Sequence, residues 1–475
     1  MAEITQTLIN FVTKVSYDHL PPPVVQKTKQ ILLDSIGCAL GSYVVDRASI
    51  AIEITEDLGG KPQASVIGNR KTSCALAAFA NGELIQALDY EPIGPLIPHT
   101  VPYVIPPSLA IAERRCASGK DLIMAIALGL EIGGRAGSSV VGARILKESP
   151  PYYEQSERYS YIPAIFGAVA SVCKLLHLDN EKTANAFGIA CANAPLPAMR
   201  KWKEITGPSI MCKFNLWTGW VTQLAVTAVL AAEKGFTGDT AILDGEWGFW
   251  KFYGSPFFKP DILLGKLGTA WHVGEVKFKT YPICAINHAG VYAINKVIQQ
   301  NEIDPEHIES ILLEGDHMLL LPHHGQSEIK SFADAQFSNA YIMAVAAYYG
   351  CSPGPGWQAP ETLAEPKIKD LMKKIKVTLH PKAEETIRSK NFSMPDFFGS
   401  AVEVTAGGKK FRFEVPEAEN PMFTSMTDEE LKEKFKNNAS YSTIQSDRTV
   451  KAMEMIYKLE EVEDITALMD LLTLD

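Results

Sequence analysis

Between Ser73 and Glu233 the chain repeatedly sets Ala and Gly among larger apolar residues, in segments of helical length. These are Ser73–Leu88, Leu122–Gly134, Ala164–Leu176, Thr183–Ala194 and Leu216–Glu233. A helix that is apolar on most faces must be surrounded, and small residues let neighbouring backbones approach, so the pattern predicts a close-packed helical bundle. Val24–Tyr43 opens the series after three prolines that stop any earlier helix, with Val25, Ile31, Leu32, Ile36 and Leu40 as its apolar positions. Gly235 and the segment His177-Leu178-Asp179-Asn180 read as helix stops. Leu122–Leu130 is followed by Glu131 and Arg135, well short of the roughly 20 residues a spanning helix needs. The segments therefore read as core helices of a protein with no membrane partner.

After Gly268 the texture changes. Val276–Phe278, Ile308–Leu313, Ile375–Leu379, Ala401–Thr405 and Lys410–Val415 alternate or carry β-branched residues, and Gly407-Gly408 reads as a hairpin turn. Helices at Ala285–Gln300, Gln336–Tyr349 and Pro366–Lys373 fall among these strands, and Asp428–Phe435 and Asp447–Lys458 return to helix. The expected fold is mainly α. A large all-helical domain takes residues 1–265 and 421–475, and a smaller α+β lid domain is inserted over 266–420.

The 475 residues suit two or three domains of ordinary size. The net charge is 45 − 55 = −10, without a basic run to neutralise a phosphate backbone, which argues against a nucleic-acid partner. Eight cysteines are scattered with no CxxC pair, several in apolar settings such as Cys38 and Cys173. They read as reduced core thiols, not a disulfide framework. The N-terminus carries Glu3 and lacks a basic segment followed by an apolar core, so a cytoplasmic location is expected.

Nucleotide, zinc-protease and serine-hydrolase signatures (GxxxxGK[ST], strand-linked GxGxxG, HExxH, GxSxG) are absent from the sequence. His323-His324 lacks carboxylate or thiol partners at ligand spacing, so no metal is expected there. What remains are polar groups in apolar surroundings. Asp89 ends an Ala-rich helix. A Gly/Pro-rich loop then runs to His99, and Pro102, Pro106 and Pro107 lead into the next helix. A carboxylate and an imidazole ten residues apart on such a loop suit an acid and a base on one cavity wall. The plainer alternative makes Asp89 a helix cap and His99 a surface residue. Lys213, at the start of a long apolar helix, is either a snorkelling end residue or a buried cation for an anionic ligand. Lys279 and His288 flank Thr280-Tyr281-Pro282-Ile283-Cys284, either a polar domain junction or a solvated Pro-marked turn. Tyr341 by itself suits a core tyrosine with a satisfied hydroxyl.

Together these segments resemble the MmgE/PrpD family, which includes 2-methylcitrate dehydratases, cis-aconitate decarboxylases and an iminodisuccinate epimerase. The resemblance runs from Leu33-Asp34-Ser35-Ile36-Gly37-Cys38-Ala39-Leu40-Gly41 through Asn81-Gly82 and Ala87-Leu88-Asp89-Tyr90 with His99. It continues through Gly129–Gly137, Met211-Cys212-Lys213, Gly235-Phe236-Thr237-Gly238 and Lys279–Cys284 with His288, and ends at Phe337-Ser338 with Tyr341. It implies a helical domain with a lid, usually a homodimer, working on a small anionic carboxylate without metal or organic cofactor. It also implies a catalytic set of Asp89, His99, Lys213, Lys279, His288 and Tyr341 in the cavity between helical domain and lid, with Tyr161 and Cys284 at the substrate. In that set the lysines bind charge, the histidines exchange protons near neutral pH, Tyr341 donates a proton, and Asp89 orients His99 or acts as base. The implied enzyme is a lyase (dehydratase or decarboxylase) or an isomerase such as an epimerase, removing a proton or carbon dioxide beside a carboxylate.

Three departures from the family pattern stand out. A histidine that many members carry in a His-Pro-Thr-like segment is replaced here within Arg158-Tyr159-Ser160-Tyr161-Ile162-Pro163-Ala164, the usual His-Pro is His99-Thr100, and the acidic run after the aspartate is reduced to Tyr90-Glu91. Either a neighbour such as Tyr161 takes over, the reaction differs, or the chain is a non-catalytic homologue.

Overall fold

The computed structural model describes residues 4–94, 96–140, 144–148, 151–155, 162–195, 210–211, 217–255, 258–383, 385, 399–421 and 424–474. Helix accounts for 61% and strand for 8%, so the chain is mainly α.

The helical part is built on segments with no solvent-facing stripe. Helix Cys74–Gln86 is buried on nearly every turn and packs between helices Val101–Arg114 and Thr218–Glu233. Helix Pro22–Gly41 begins on prolines, which its first turn tolerates because those N–H groups have no intrahelical partner. Buried from Ile31 to Gly41, it packs against the late helix Asp428–Ala439, so the two ends of the chain share one core. Helix Val101–Arg114 contains Pro102, Pro106 and Pro107, which were expected to lie before the helix. The whole segment is buried from Val101 to Glu113, and tertiary packing there overrides the local penalty for proline.

Small residues set the closest crossing. Where helix Gly119–Val140 meets helix Ile165–Leu175, a Cβ on Gly167 would lie 2.1 Å from the Gly129 carbonyl oxygen and 2.8 Å from the Gly133 nitrogen. Both neighbours are backbone and cannot swing aside. Gly167→Ala is therefore expected to cost roughly 1–3 kcal/mol through overpacking. Urea unfolding reads this directly, and an unshifted midpoint would contradict the crossing geometry.

Helix Gly119–Val140 also carries a fully buried arginine. Arg135 pairs with Glu131 at 2.7 Å and donates to the carbonyls of Gly265 (2.6 Å) and Ala270 (3.3 Å), while Glu131 accepts from the His272 N–H at 2.7 Å. A buried charge satisfied on several sides fixes the 262–272 loop onto the bundle. The Gly129–Gly137 stretch thus works as scaffold.

The second core begins at Tyr281. Val273, Val276 and Phe278 still pack with the helical bundle, whereas Tyr281, Ile283 and residues onward to Val415 pack with each other. Apolar packing thus changes sides between Phe278 and Tyr281. The sheet runs in the order Ile375–Leu379, Ile308–Gly315, Ala401–Ala406, Lys409–Glu414. The first pair is parallel and the other two antiparallel. Gly407 (φ 56°) and Gly408 (φ 70°) form the expected two-residue hairpin, where both positions require the left-handed region. Helices His288–Asn301 and Asn339–Tyr349 pack on the sheet and on each other. Val276–Phe278 is not a strand: only Lys277 makes a bridge, to Ile93, because the segment crosses between the cores with no sheet to join. A third, small apolar cluster, with Ala87, Leu88 and Tyr90 on one side and Phe332 and Ala333 on the other, fastens the two parts together.

Candidate active site

The loop after helix Cys74–Gln86 is where the polar residues gather. Asp89 (φ 52°) and His99 (φ 60°) both hold left-handed backbone conformations. Such strain in non-glycine residues persists where surroundings over-determine it, often at functional sites. Neither is a surface residue: Asp89 is 1% and His99 7% exposed. The reading of His99 as solvated loop is thereby excluded.

Lys279 enters from the strap that joins the two cores. It is buried, forms an ion pair with the Asp89 carboxylate, and also donates to the Asp89 carbonyl at 2.7 Å. Burial opposes its charge, but Asp89 and Glu91 outweigh that and hold its pKa above the ordinary lysine value. Beside this pair, Glu91 Oε1 lies 2.5 Å from His99 Nδ1, both buried. A carboxylate accepts only, so Nδ1 carries the hydrogen and the tautomer is fixed. Glu91 thus orients the His99 ring, a role for which Asp89 was one expected candidate. Asp89 is occupied by Lys279. Glu91 joins the candidate set only from the structure; its sequence signal was the one acid left after Asp89.

A second buried pair stands next to the first. Asp34 of helix Pro22–Gly41 meets Lys434 of helix Asp428–Ala439 at 2.8 Å, and Lys434 also donates to the Tyr90 carbonyl at 3.0 Å. The Tyr90 hydroxyl reaches the Thr280 carbonyl at 3.1 Å. Among the described residues three carboxylates (Asp34, Asp89, Glu91) thus meet two ammonium groups (Lys279, Lys434), with the His99 imidazole beside Glu91.

The lid contributes His288 and a pair of glutamines. His288 opens helix His288–Asn301, is buried, packs edge-on to the Tyr281 ring at 5.2 Å, and its Nε2 has no hydrogen-bond partner among the described residues. Burial, and then the Lys279 charge, push its pKa down to about 3. Burial and the neighbouring ammonium thus favour the neutral imidazole in this arrangement. His324, which drew attention only as half of a weak metal pair, is buried with Nδ1 2.9 Å from the Phe337 carbonyl, and burial lowers its pKa to about 4. Gln336 donates to the Ala87 carbonyl (2.7 Å) and to Gln358 (2.8 Å), while Gln358 donates to the carbonyls of Leu88 (2.7 Å) and Pro282 (2.6 Å). These two amides grip the backbone just ahead of Asp89.

Tyr341 makes no hydrogen bond to Asp89, Glu91, His99 or Lys279 among the described residues. It is buried in the lid core, its hydroxyl donates to the Trp357 carbonyl, and burial pushes its pKa far up. That is the arrangement of a core tyrosine, not of a proton donor. Cys284 is buried, and its N–H bonds to Gln336 O at 2.9 Å. Lys213 and Tyr161 lie outside the described residues. Five of the seven described cysteines are buried, while Cys116 and Cys351 are exposed. No described helix is long and apolar enough to cross a membrane. A cleft of about 650 Å³ opens beside the cluster, with Tyr90, Thr280 and Lys434 in its wall.

Asp89, Glu91 and His99 each present a ligand atom, all within 4.8 Å of one another. A divalent cation there would face the Lys279 ammonium already seated on Asp89, so the donor set suits proton handling better than a metal.

Two neutral buried imidazoles carry a pH signature. In the unfolded chain each titrates near 6.5, so below that pH the unfolded state binds protons that His288 and His324 in the native state refuse. Their contribution is fully present above pH 6.5 and is lost as pH falls toward 4. Stability should drop by about 2–3 kcal/mol per pH unit once both are protonated in the unfolded chain. Urea titrations at pH 7, 6 and 5 check this; equal stabilities at all three would refute it.

The polar cluster at the contact of a helical bundle and an α+β lid defines the class, and sequence comparison agrees. Residues 6–259 match the MmgE/PrpD N-terminal domain and 281–458 the MmgE/PrpD C-terminal domain, so this chain belongs to the MmgE/PrpD family. It is similar to a cis-aconitate decarboxylase-like protein, oryM, of Aspergillus oryzae (25% identical, covering 99% of this chain and 97% of that one). It is also similar to the cis-aconitate decarboxylases of Aspergillus terreus (24%, covering 99% and 96%) and Homo sapiens (22%, covering 99% and 95%).

Proposed function

We propose that this chain is a cofactor-independent lyase that decarboxylates a small tricarboxylate of the cis-aconitate type. The observation that carries the reading is the buried juxtaposition of Asp89–Lys279 with Glu91–His99 where two cores meet. The names of the relatives support the substrate class.

The electron count asks for an acid and for cations. cis-Aconitate bears a carboxymethyl arm on a double-bond carbon. Breaking the bond between that CH2 and its carboxylate releases carbon dioxide. The freed pair forms a new terminal double bond, the old double bond's pair shifts to the carbon beside the far carboxylate, and that carbon takes one proton. His99, held through Nδ1 by Glu91, is assigned as donor through Nε2. Lys279, positioned by Asp89, and Lys213 are assigned to the carboxylate charge that grows in the transition state. Neutral His288 is assigned as a hydrogen-bonding wall. This route has no hydroxyl to expel, so it tolerates the absent histidine before Ala164 better than a dehydration would.

The test is incubation of the full chain with cis-aconitate in deuterated water containing EDTA, followed by NMR. The expected result is release of carbon dioxide with one deuterium in the new methylene group. Deuterium uptake without carbon dioxide would replace decarboxylation by isomerisation or dehydration. No conversion and no exchange across a panel of di- and tricarboxylates would make the chain a non-catalytic homologue.

A further inference from the structure

The Asp34–Lys434 pair lies outside every role assigned above, yet its ammonium holds the backbone on which Asp89 and Glu91 sit. Lys434 Nζ makes a 2.8 Å ion pair with Asp34, donates to the Tyr90 carbonyl at 3.0 Å, and stands 3.8 Å from the centre of the Tyr90 ring. Both charged side chains are almost wholly buried, at 3% and 1% exposure. Asp34 Oδ2 has no hydrogen-bond partner among the described residues. A buried pair of this kind rarely increases stability over an apolar substitute, so its retention asks for another reason. Tyr90 is the residue between Asp89 and Glu91, and Asp89 holds a strained φ of 52°. The Tyr90 hydroxyl in turn binds the carbonyl of Thr280, next to Lys279. One ammonium thus restrains the middle of the turn whose two ends carry Asp89–Lys279 and Glu91–His99.

We infer that Asp34 and Lys434 are positioning residues: Lys434, held by Asp34, clamps the Tyr90 carbonyl and thereby sets the geometry of the Glu91–His99 hydrogen bond and the Asp89–Lys279 pair. The role in turnover rests on the lyase reading; the geometric claim does not. Lys434 reaches this turn from helix Asp428–Ala439, near the far end of the chain, so the C-terminal helices contribute to the site they back.

The experiment reads both levels on the full chain. The short bond at His99 Nδ1 gives a downfield imidazole N–H signal in 15N-histidine NMR, assigned by its loss in His99→Gln. Lys434→Met is expected to shift or broaden that signal, while Lys436→Met, at an exposed position on the same helix, leaves it unchanged. With cis-aconitate, Lys434→Met should lower kcat by about 10–100-fold with KM within threefold, as misplacement of reacting groups does. Because Lys434 lines the cleft, ethylammonium should restore part of kcat to Lys434→Ala. If Lys434→Met does not fold, Asp34→Asn/Lys434→Met removes both charges and is read in the same way. An unshifted His99 signal in a folded variant overturns the inference, and so does a rise in KM alone. A shifted signal in a chain whose parent turns over no carboxylate sustains the positioning and overturns the lyase reading.

Discussion

Replacing Lys279 by Met is expected to lower turnover by roughly 10²–10³-fold, the loss that follows removal of one preorganised donor to developing charge. The same change takes from the buried Asp89 carboxylate its Lys279 partner, so it should also cost about 3–5 kcal/mol of stability. The two effects separate in a double variant. Asp89→Asn/Lys279→Met removes both charges from the low-dielectric junction and should recover most of the lost stability without recovering turnover. Urea unfolding and steady-state kinetics on the three variants measure this. Turnover within tenfold of the parent in Lys279→Met would remove the lysine from the chemistry, and a double variant no more stable than the single would show that the unpaired Asp89 charge is not the source of the lost stability.

Glu91→Gln should lower kcat by roughly 10²–10⁴-fold, the range that general acid catalysis contributes. A neutral amide can still touch Nδ1, yet it no longer stabilises an imidazolium or enforces one tautomer. His99→Gln should cost about as much, and the double variant little more than either, because the two act as one unit. Losses that multiply, or a Glu91→Gln enzyme within threefold of the parent, would show that His99 works without this carboxylate.

The bundle was legible from residue spacing because helix and hairpin signals are local. Cys74–Gln86 and Thr218–Glu233 lie within two residues of the expected bounds, and the Gly407-Gly408 turn falls where its glycines stand. The prolines of Val101–Arg114 misled because their penalty is local while the burial that outweighs it is tertiary. The Asp89–His99 spacing pointed to the loop on which the buried polar residues gather. The partnerships did not follow from it, since Lys279 pairs with a residue 190 positions away and Lys434 donates to one 344 positions away. Nor does sequence reveal that burial would silence His288 as a titrating group. Glu91 stood out only as the remnant of an acidic run, and nothing local in the sequence shows that it is buried against His99.

The grip of Gln336 and Gln358 falls on main-chain oxygens of residues 87, 88 and 282. Every amino acid offers such an oxygen, so these hydrogen bonds place no demand of their own on the recipient side chains, although Ala87 and Leu88 are also held in the apolar cluster between the two parts. The demand of these particular bonds falls on the two amides. Side chains lining the neighbouring cleft can therefore differ while this backbone grip stays as it is.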